Sequence, residues 1–341
     1  MSNYDKYFVK KKIKTYVISL NKKLPDLFKK LEAEHIEPIL INGIDGNKLD
    51  YKTKSENSNL FFSLFGPNTT VAIAMSHIKA WGEILKSKAK YGVVFEDDVV
   101  LVDNFYDKFN DAIKKVPRDF DIFYLGCFGC QNNNNPLSMI FDVLGVSNGQ
   151  SKKVNDLINR PAVALALHGY VISRKGIKNI LKILDGGKVY FYLDYCIQKM
   201  NSNNLIKVYS PNERLAYQTS TDNTVSSNVK NSHPLIFNKL LSNFYIDEKC
   251  KASYITTVSL LNIGGFTLSV SSLLMIFLGI FLAWLDLSFT QATGFYIIMS
   301  ALDRNIVPIT VHYVIFIIAF LISKNKLSSL RSQNNPFGLF R

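Results

Sequence analysis

Three acidic residues in a row, Glu96, Asp97 and Asp98, follow the apolar run Tyr91–Phe95. Such a run is typical of a buried strand, and uncompensated charge at its end is costly. Carboxylate oxygens there can hold a divalent cation, and the cation can hold a diphosphate. On an extended chain Glu96 and Asp98 share a face while Asp97 points away, so Glu96 and Asp98 are the candidate metal ligands. A solvated acidic loop is the alternative.

Strand-like and helix-like segments alternate through residues 1 to about 245. This alternation predicts an α/β fold with a doubly wound sheet, in which ligands bind at the carboxyl edge of the strands. We assign residues 1–250 to this domain. Lys52–Asn68 is expected to be a loop or lid, and Gln131–Asn159, which contains four consecutive asparagines, a mobile excursion over the site.

Residues 251–341 are predicted to anchor the chain in a membrane. Two stretches without charged residues, about 264–285 and about 305–322, are each long enough to cross a hydrocarbon core as a transmembrane helix. An apolar hairpin buried in a soluble core is the alternative. Lysine and arginine flank both stretches and no signal peptide is evident. The positive-inside rule therefore predicts a catalytic domain, and both termini, on the cytoplasmic face.

The net charge of +13 includes many lysines before residue 31, which indicates an acidic partner. Beside predicted membrane spans an anionic lipid surface is the simplest such partner, and no motif supports a specific nucleic acid. The four cysteines are expected to be free thiols. Cys127 and Cys130 form a C-x-x-C pair, but a zinc site needs a second pair of ligands, and Cys196 and Cys250 stand alone.

Several segments in order carry a family resemblance. They are Tyr16–Leu20, Gly43–Leu49, Val71–Trp81, Tyr91–Asp98, His168–Gly176, Leu193–Asp194 and Tyr217–Ser220. Together they resemble glycosyltransferase family 25, which includes bacterial lipooligosaccharide galactosyltransferases and collagen galactosyltransferases. The resemblance implies a nucleotide-sugar-binding domain of the GT-A type, a UDP-sugar donor, with galactose as the sugar, and Mn²⁺ or Mg²⁺ as the cofactor.

Residue chemistry and this resemblance together assign roles. Asp98 and Glu96 are assigned to the metal, with Asp98 also catalytic, and His233 is the candidate third ligand or else a surface histidine. Asp194 is the candidate general base, because partial burial between two tyrosines would raise its pKa. A helix-capping aspartate is the alternative for Asp194. The donor-binding candidates are Ser19, Asp45, Gly46, Ser76, His77, Glu96 and Asp97.

Two of those donor-binding candidates have plain structural alternatives. His77 follows Ser76 in a predicted helix, where it would bind the donor or the acidic loop, or simply serve the helix. Asp45 lies in a glycine turn, where it would bind uracil or ribose, or be an ordinary turn aspartate.

The sequence thus predicts a membrane-anchored, metal-assisted and inverting glycosyltransferase that acts on a hydroxyl of a glycan, glycolipid or protein. A catalytically silent sugar-nucleotide-binding or scaffold protein on the same fold is the first rival, against which the intact acidic residues argue. A basic nucleic-acid-associated factor is the second rival, which sequence-specific binding at high salt would support. The acceptor, the linkage and the oligomeric state do not follow from the sequence.

Overall fold

The computed structural model describes residues 13–20, 26–131, 136–219, 241–247, 250–256, 258–263, 266–301 and 306–333. The chain divides into two compact units. Unit 1 is Met1–Asp222 with Ile246–Cys250, and unit 2 is Asn223–Tyr245 with Lys251–Arg341. A functional boundary at residue 250 stays a prediction.

Unit 1 alternates strands and helices, and a 3₁₀ helix, Gly46–Lys48, follows its second strand. Its strands are β1 (Ile13–Ser19), β2 (Pro38–Asn42), β3 (Tyr91–Glu96), β4 (Val99–Leu101), β5 (Ile122–Phe128), β6 (Lys152–Lys153), β7 (Ile158–Arg160), β8 (Leu165–Ser173), β9 (Val208–Pro211) and β10 (Ala216–Gln218). Its helices are α1 (Asp26–Ala33), α2 (Tyr51–Glu56), α3 (Leu60–Phe65), α4 (Asn68–Lys86), α5 (Phe105–Lys115), α6 (Pro136–Val143), α7 (Arg174–Ile183) and α8 (Leu193–Ser202).

Eight of these strands form one mixed sheet in the order β2-β1-β3-β8-β5-β9-β7-β6. Strands β2, β1 and β3 run parallel, so Asn42, Ser19 and Glu96 reach the same edge at their carboxyl ends. Strand β8 runs antiparallel to both β3 and β5. The sheet is therefore mixed, with parallel and antiparallel neighbours.

Helices cover both faces of this sheet. On one face α4 buries Val71, Ala74, Trp81 and Ile84 against strand residues that include Tyr170. The opposite face packs against apolar side chains of α1 and α5. Burial of an apolar stripe on each helix and of both faces of the strands holds the layers together.

Two expectations about loops in unit 1 are wrong. Residues 52–68 are largely helical, because Asp50 and Asn59 accept the backbone N–H groups of Thr53 and Phe62 and so cap two short helices. Within 131–159 the described residues include α6 and the strands β6 and β7. Both segments lack a long hydrophobic period, so their polar composition was misleading as a guide to structure.

Unit 2 and its border carry short strands followed by three longer helices. The elements are β11 (Tyr245–Asp247), β12 (Cys250–Lys251), α9 (Ala252–Thr256), β13 (Ser259–Ile263), β14 (Phe266–Ser269), α10 (Val270–Trp284), α11 (Phe289–Ala301) and α12 (Ile306–Gln333). Helices α10 and α12 share a small apolar core around Met275, Phe316 and Phe320. A Cβ on Gly279 would lie 2.5 Å from the Phe316 carbonyl oxygen, so the two helices approach closely there.

The predicted transmembrane hairpin is wrong. The described part of the stretch 264–285 is divided between β14 and α10, and α10 has 15 residues. At 1.5 Å per residue that is about 22 Å, short of the roughly 30 Å of a hydrocarbon core. The second stretch lies in α12, which continues through Lys324 and Lys326. Across the residues that the structure describes, no helix combines the length and the apolar character needed to cross a membrane.

The expectation of four free thiols is also wrong. Cys127 and Cys130 are joined by a disulfide at the end of β5, and both are buried. Because their sulfurs are bonded to each other, they are not the first half of a zinc site. Cys196 and Cys250 are buried thiols outside that disulfide, and burial raises the pKa of each, to about 11 and about 12 respectively.

Candidate functional site

The three consecutive acids lie where β3 leaves the sheet, and their side chains separate as the alternation of an extended chain requires. Asp97 turns toward β1, and Ser19 Oγ donates to its Oδ2 at 2.5 Å. Glu96 and Asp98 face the other way, toward the end of β10. The carboxyl ends of β1 and β3 therefore form one acidic corner, which consists of Ser19, Glu96, Asp97 and Asp98.

Gln218 joins the two remaining carboxylates. Strand β10 pairs antiparallel with β4, which sets Gln218 opposite Val99 and so beside Asp98. Its Nε2 donates to Asp98 Oδ2 at 3.0 Å and more weakly to Glu96 Oε2 at 3.4 Å. The two carboxylates thus converge on one amide nitrogen, across more than a hundred residues of sequence.

His77 holds the other oxygen of Glu96. Its Nε2 lies 3.1 Å from Glu96 Oε1, and its ring is 1 % exposed. Burial, the largest single influence, raises the pKa of Glu96, but the hydrogen bond from His77 and the electrostatic effects of His77 and His168 together outweigh it and leave that pKa below the usual value. Glu96 is therefore ionised near neutral pH, and His77 serves the acidic loop from inside the protein.

Ser76 on α4 is hydrogen-bonded to the turn that contains Gly43 and Gly46. Its Oγ accepts the backbone N–H of Ile44 at 2.8 Å and donates to the Ala72 carbonyl at 2.7 Å. A Cβ on Gly46 would lie 2.5 Å from Thr69 Cα, so only glycine allows this approach of turn and helix. In this geometry Ser76 and Gly46 position the turn beside the end of β1.

Asp45 is engaged within its own turn. Its Oδ1 accepts from the backbone and side-chain nitrogens of Asn47, at 2.9 Å and 3.1 Å. These bonds, the backbone one first, lower the pKa of Asp45. The contacts are those of an Asx turn that caps the 3₁₀ helix.

Asp194 lies at the start of α8 and is held by backbone groups. Its Oδ2 accepts the N–H of Ala166 at 2.9 Å, and its Oδ1 accepts that of Tyr195 at 2.8 Å. Burial raises the pKa of Asp194 despite these bonds, and the charge of Glu96 raises it further. The structure therefore brings Asp194 within electrostatic reach of Glu96. The bond to Tyr195 also gives Asp194 a part in the first turn of α8.

His168 is a buried polar residue to which sequence reasoning gave no role. Its exposed fraction is 1 %, and neither ring nitrogen has a hydrogen bond of ordinary geometry among the described residues. Burial lowers its pKa to about 4, so the ring is neutral near pH 7. A Cβ on Gly126 would lie 2.5 Å from its Nε2, so that glycine provides the space for the ring.

The acidic corner fits a divalent cation as an open site. Within the described ranges, no group of three or more His, Cys, Asp or Glu side chains could enclose a metal ion. Mg²⁺-type sites, however, commonly use one or two carboxylates, with waters and substrate phosphates completing the shell. Glu96 and Asp98 form such a pair of oxygens. His233, the predicted third ligand, lies outside the described residues.

Of the predicted site residues, the structure gathers nine at the carboxyl edge of β1 and β3 or within reach of it. They are Ser19, Asp45, Gly46, Ser76, His77, Glu96, Asp97, Asp98 and Asp194. Sequence reasoning gave no role to Gln218, His168 or Tyr170, although each lay in a family-like segment. Their position in those segments was the signal that could have found them.

The sequence from residue 12 to residue 197 matches glycosyltransferase family 25, described as a family of lipopolysaccharide biosynthesis proteins. This match covers more than half of the chain. The chain belongs to this family. Membership in family 25 makes the protein a glycosyltransferase and connects it with a nucleotide sugar and a glycan acceptor.

No curated protein matches the chain. Among solved structures it is similar to A197 from STIV, with 12 % identity over 60 % of this chain and 84 % of that one. The TM-score is 0.33. A likeness this weak carries no argument about the fold or the activity, so the family assignment rests on the sequence match.

Proposed function

We propose that this family 25 enzyme transfers galactose from a UDP-sugar to an acceptor hydroxyl with inversion at the anomeric carbon. One observation carries the proposal: Glu96 and Asp98 converge on Gln218 Nε2 where β3 leaves the sheet, with Asp194 within electrostatic reach of Glu96. Glu96 is held ionised, whereas the pKa of Asp194 is raised. Paired acids with separated pKa values are typical of sites that divide electrostatic and proton-transfer roles.

The acidic corner would serve the donor. Glu96 and Asp98 are the proposed ligands of Mn²⁺ or Mg²⁺, and the ion, when bound, would offset the charge of the diphosphate leaving group. Ser19 and Asp97 form the neighbouring wall through their hydrogen bond. The turn around Asp45 and Gly46 lies next to that wall, where backbone and carboxylate groups would contact ribose or uracil.

Asp194 would serve the acceptor. Its raised pKa suits a general base, since proton transfer is most efficient when the base titrates nearer the working pH. In the reaction Asp194 would take the proton of the attacking hydroxyl while the bond from the anomeric carbon to the diphosphate breaks. Two backbone N–H donors fix the carboxylate and reduce its freedom to turn away.

An anionic lipid surface is the proposed setting, at the cytoplasmic face. The net charge of +13 and the family's part in lipopolysaccharide biosynthesis support it. Co-sedimentation of the chain with vesicles of anionic lipid, lost at high salt and with neutral vesicles, is the expected result. Equal binding to neutral vesicles would contradict an electrostatic surface.

The deciding experiment screens nucleotide sugars for metal-dependent hydrolysis or transfer by the full chain. We expect turnover of UDP-galactose with Mn²⁺ and its loss in the presence of a chelator. Turnover of another nucleotide sugar alone would keep the enzyme and change the donor. Donor binding without any turnover would favour the catalytically silent protein instead.

A further inference from the structure

A line of buried hydrogen bonds leads from the core to Glu96. Trp81 Nε1 donates to Tyr170 Oη at 2.8 Å, and that oxygen lies 3.0 Å from Nδ1 of His77. Nε2 of the same ring lies 3.1 Å from Glu96 Oε1. Trp81, Tyr170 and His77 are each at most 1 % exposed, so bulk water does not compete for these bonds.

The fold explains why these four side chains meet. His77 and Trp81 are one helical turn apart on α4 and therefore face the same way. Tyr170 on β8 is paired with Val94 on β3, two residues before Glu96. Because side chains two residues apart on a strand share a face, α4 packs over both Tyr170 and Glu96.

Counting donors and acceptors assigns the protons. The indole of Trp81 can only donate, so its bond uses Tyr170 Oη as the acceptor. The oxygen could also accept from Nδ1 of His77, but the buried hydroxyl proton would then lack an acceptor among the hydrogen bonds of the described residues, so the arrangement that satisfies every group has Tyr170 donating to Nδ1. Nδ1 carries no proton in that case, so the neutral ring has its proton on Nε2 and donates it to the Glu96 carboxylate.

We propose that Tyr170 and Trp81 are positioning residues, which lock His77 in the Nε2–H tautomer and thereby orient the Glu96 carboxylate toward Asp98. The inference rests on the proposed function only in that Glu96 serves the donor. His77 occupies Oε1 of Glu96, and Oε2 is the oxygen turned to Gln218, which also binds Asp98. This hydrogen-bonded relay of Trp81, Tyr170, His77 and Glu96 thus decides which oxygen of Glu96 faces the acidic corner.

The tautomer can be measured without any activity. The chain has five histidines, so ¹⁵N labelling of histidine gives few side-chain signals, and a His77→Gln variant assigns those of His77. We expect the Nε2–H tautomer in the wild-type chain and a shift toward the other tautomer or a mixture in Tyr170→Phe. A wild-type ring with its proton on Nδ1, or a cationic ring, would overturn the proposal.

Tyr124 offers a matched control. It is also fully buried, its ring centroid lies 6.5 Å from that of Tyr170, and its hydroxyl has no hydrogen-bond partner among the described residues. Tyr124→Phe therefore removes a buried hydroxyl from the same layer without touching the relay. Its His77 signals should match those of the wild type, and a shift equal to that of Tyr170→Phe would refute a specific relay.

Mn²⁺ affinity, measured by calorimetry on the same chains, tests the consequence. Loss of a group that orients a metal ligand typically weakens binding about 10- to 100-fold, and we expect that range for Tyr170→Phe with little change for Tyr124→Phe. Equal affinities in all three chains would overturn the positioning role. Should the tautomer be as expected but the wild type bind no Mn²⁺ and transfer no sugar, the proposed function fails and the relay stands.

Discussion

Glu96 and Asp194 are two acids of the proposed site, and the protein holds them in different ways. Glu96 is bound by side chains from other elements, His77 on α4 and Gln218 on β10. Asp194 is bound by backbone N–H groups, those of Ala166 and Tyr195. Side-chain donors can be removed one at a time by substitution, whereas backbone donors fix a carboxylate as firmly as the fold itself.

The two environments also move the pKa values apart. Both acids are partly buried, which raises a carboxyl pKa, but only for Glu96 do hydrogen bonding and the neighbouring histidines together outweigh burial. Glu96 therefore stays charged, and Asp194 gains basicity. Burial thus raises the pKa of a carboxyl group, and the hydrogen-bond donors and charges around it decide whether the pKa stays raised.

The largest expected effect is on transfer in Asp194→Asn. Removing a general base typically costs about 10²- to 10⁴-fold in rate, and we expect that loss in kcat with donor affinity retained. Initial rates and calorimetry with the nucleotide sugar separate the two. A large loss of donor affinity would show that Asp194 binds the donor, as Glu96 is proposed to do, and does not act as the general base.

A control separates catalysis from the backbone contact of Asp194. Ala166, whose N–H it accepts, has φ +68°, a conformation that glycine adopts without strain. Ala166→Gly keeps the N–H and relieves the side chain, so transfer should stay near that of the wild type. A rate as low as that of Asp194→Asn would show that the geometry at residue 166, and not the base, sets the rate.

Asp98→Ala should abolish the metal-dependent part of donor binding while the fold persists. Loss of an outer partner of a metal ligand typically lowers metal affinity by about 10- to 100-fold. Loss of a direct ligand is expected to lower it further. Calorimetry with and without Mn²⁺ measures it. The control is Asp103→Ala, an exposed acid in the loop after β4. If Asp98→Ala binds the donor nearly as tightly as the wild type with Mn²⁺ present, Asp98 is not a metal ligand.

Gly46→Ala should lower the free energy of unfolding, because it forces the turn around Gly46 away from α4. The new methyl group would meet Thr69 Cα at 2.5 Å, and such overpacking costs about 1–3 kcal/mol of unfolding free energy. Gly82→Ala on α4, the helix that contains Thr69, meets no atom within 4 Å and should gain about 0.5–1 kcal/mol of unfolding free energy. Urea unfolding compares the two, and equal stabilities would show that turn and helix do not approach as described.

The smallest expected effect is a pH dependence of stability. Because the pKa of Asp194 is raised above its ordinary 3.8, the folded state keeps this proton longer than the unfolded state does. Its stabilising contribution is full below 3.8 and is lost as pH rises through the folded-state pKa. The stability of the wild type relative to Asp194→Asn should therefore decline with rising pH in urea unfolding. A difference that grows with pH would mean a lowered pKa.

The sequence predicted much of unit 1 because its signals are local. The apolar run before Glu96 and the long helix containing Ser76 and His77 are strong periodic patterns, and the structure has both elements. The family resemblance is confirmed by the match over residues 12–197. The predictions failed where composition stood in for geometry, as in residues 52–68 and in the apolar C-terminal stretches.

By itself the sequence determined which residues carry charge, that a strand precedes Glu96 and a long helix contains Ser76 and His77, and that Glu96 and Asp98 leave the strand on one side. Only the tertiary structure decided their partners. Gln218 reaches Asp98 through the pairing of β10 with β4, and Tyr170 reaches His77 across the interface of sheet and helix. The reason is physical: periodicity fixes which face of an element a residue occupies, but the pairing of distant elements fixes which buried groups share a proton.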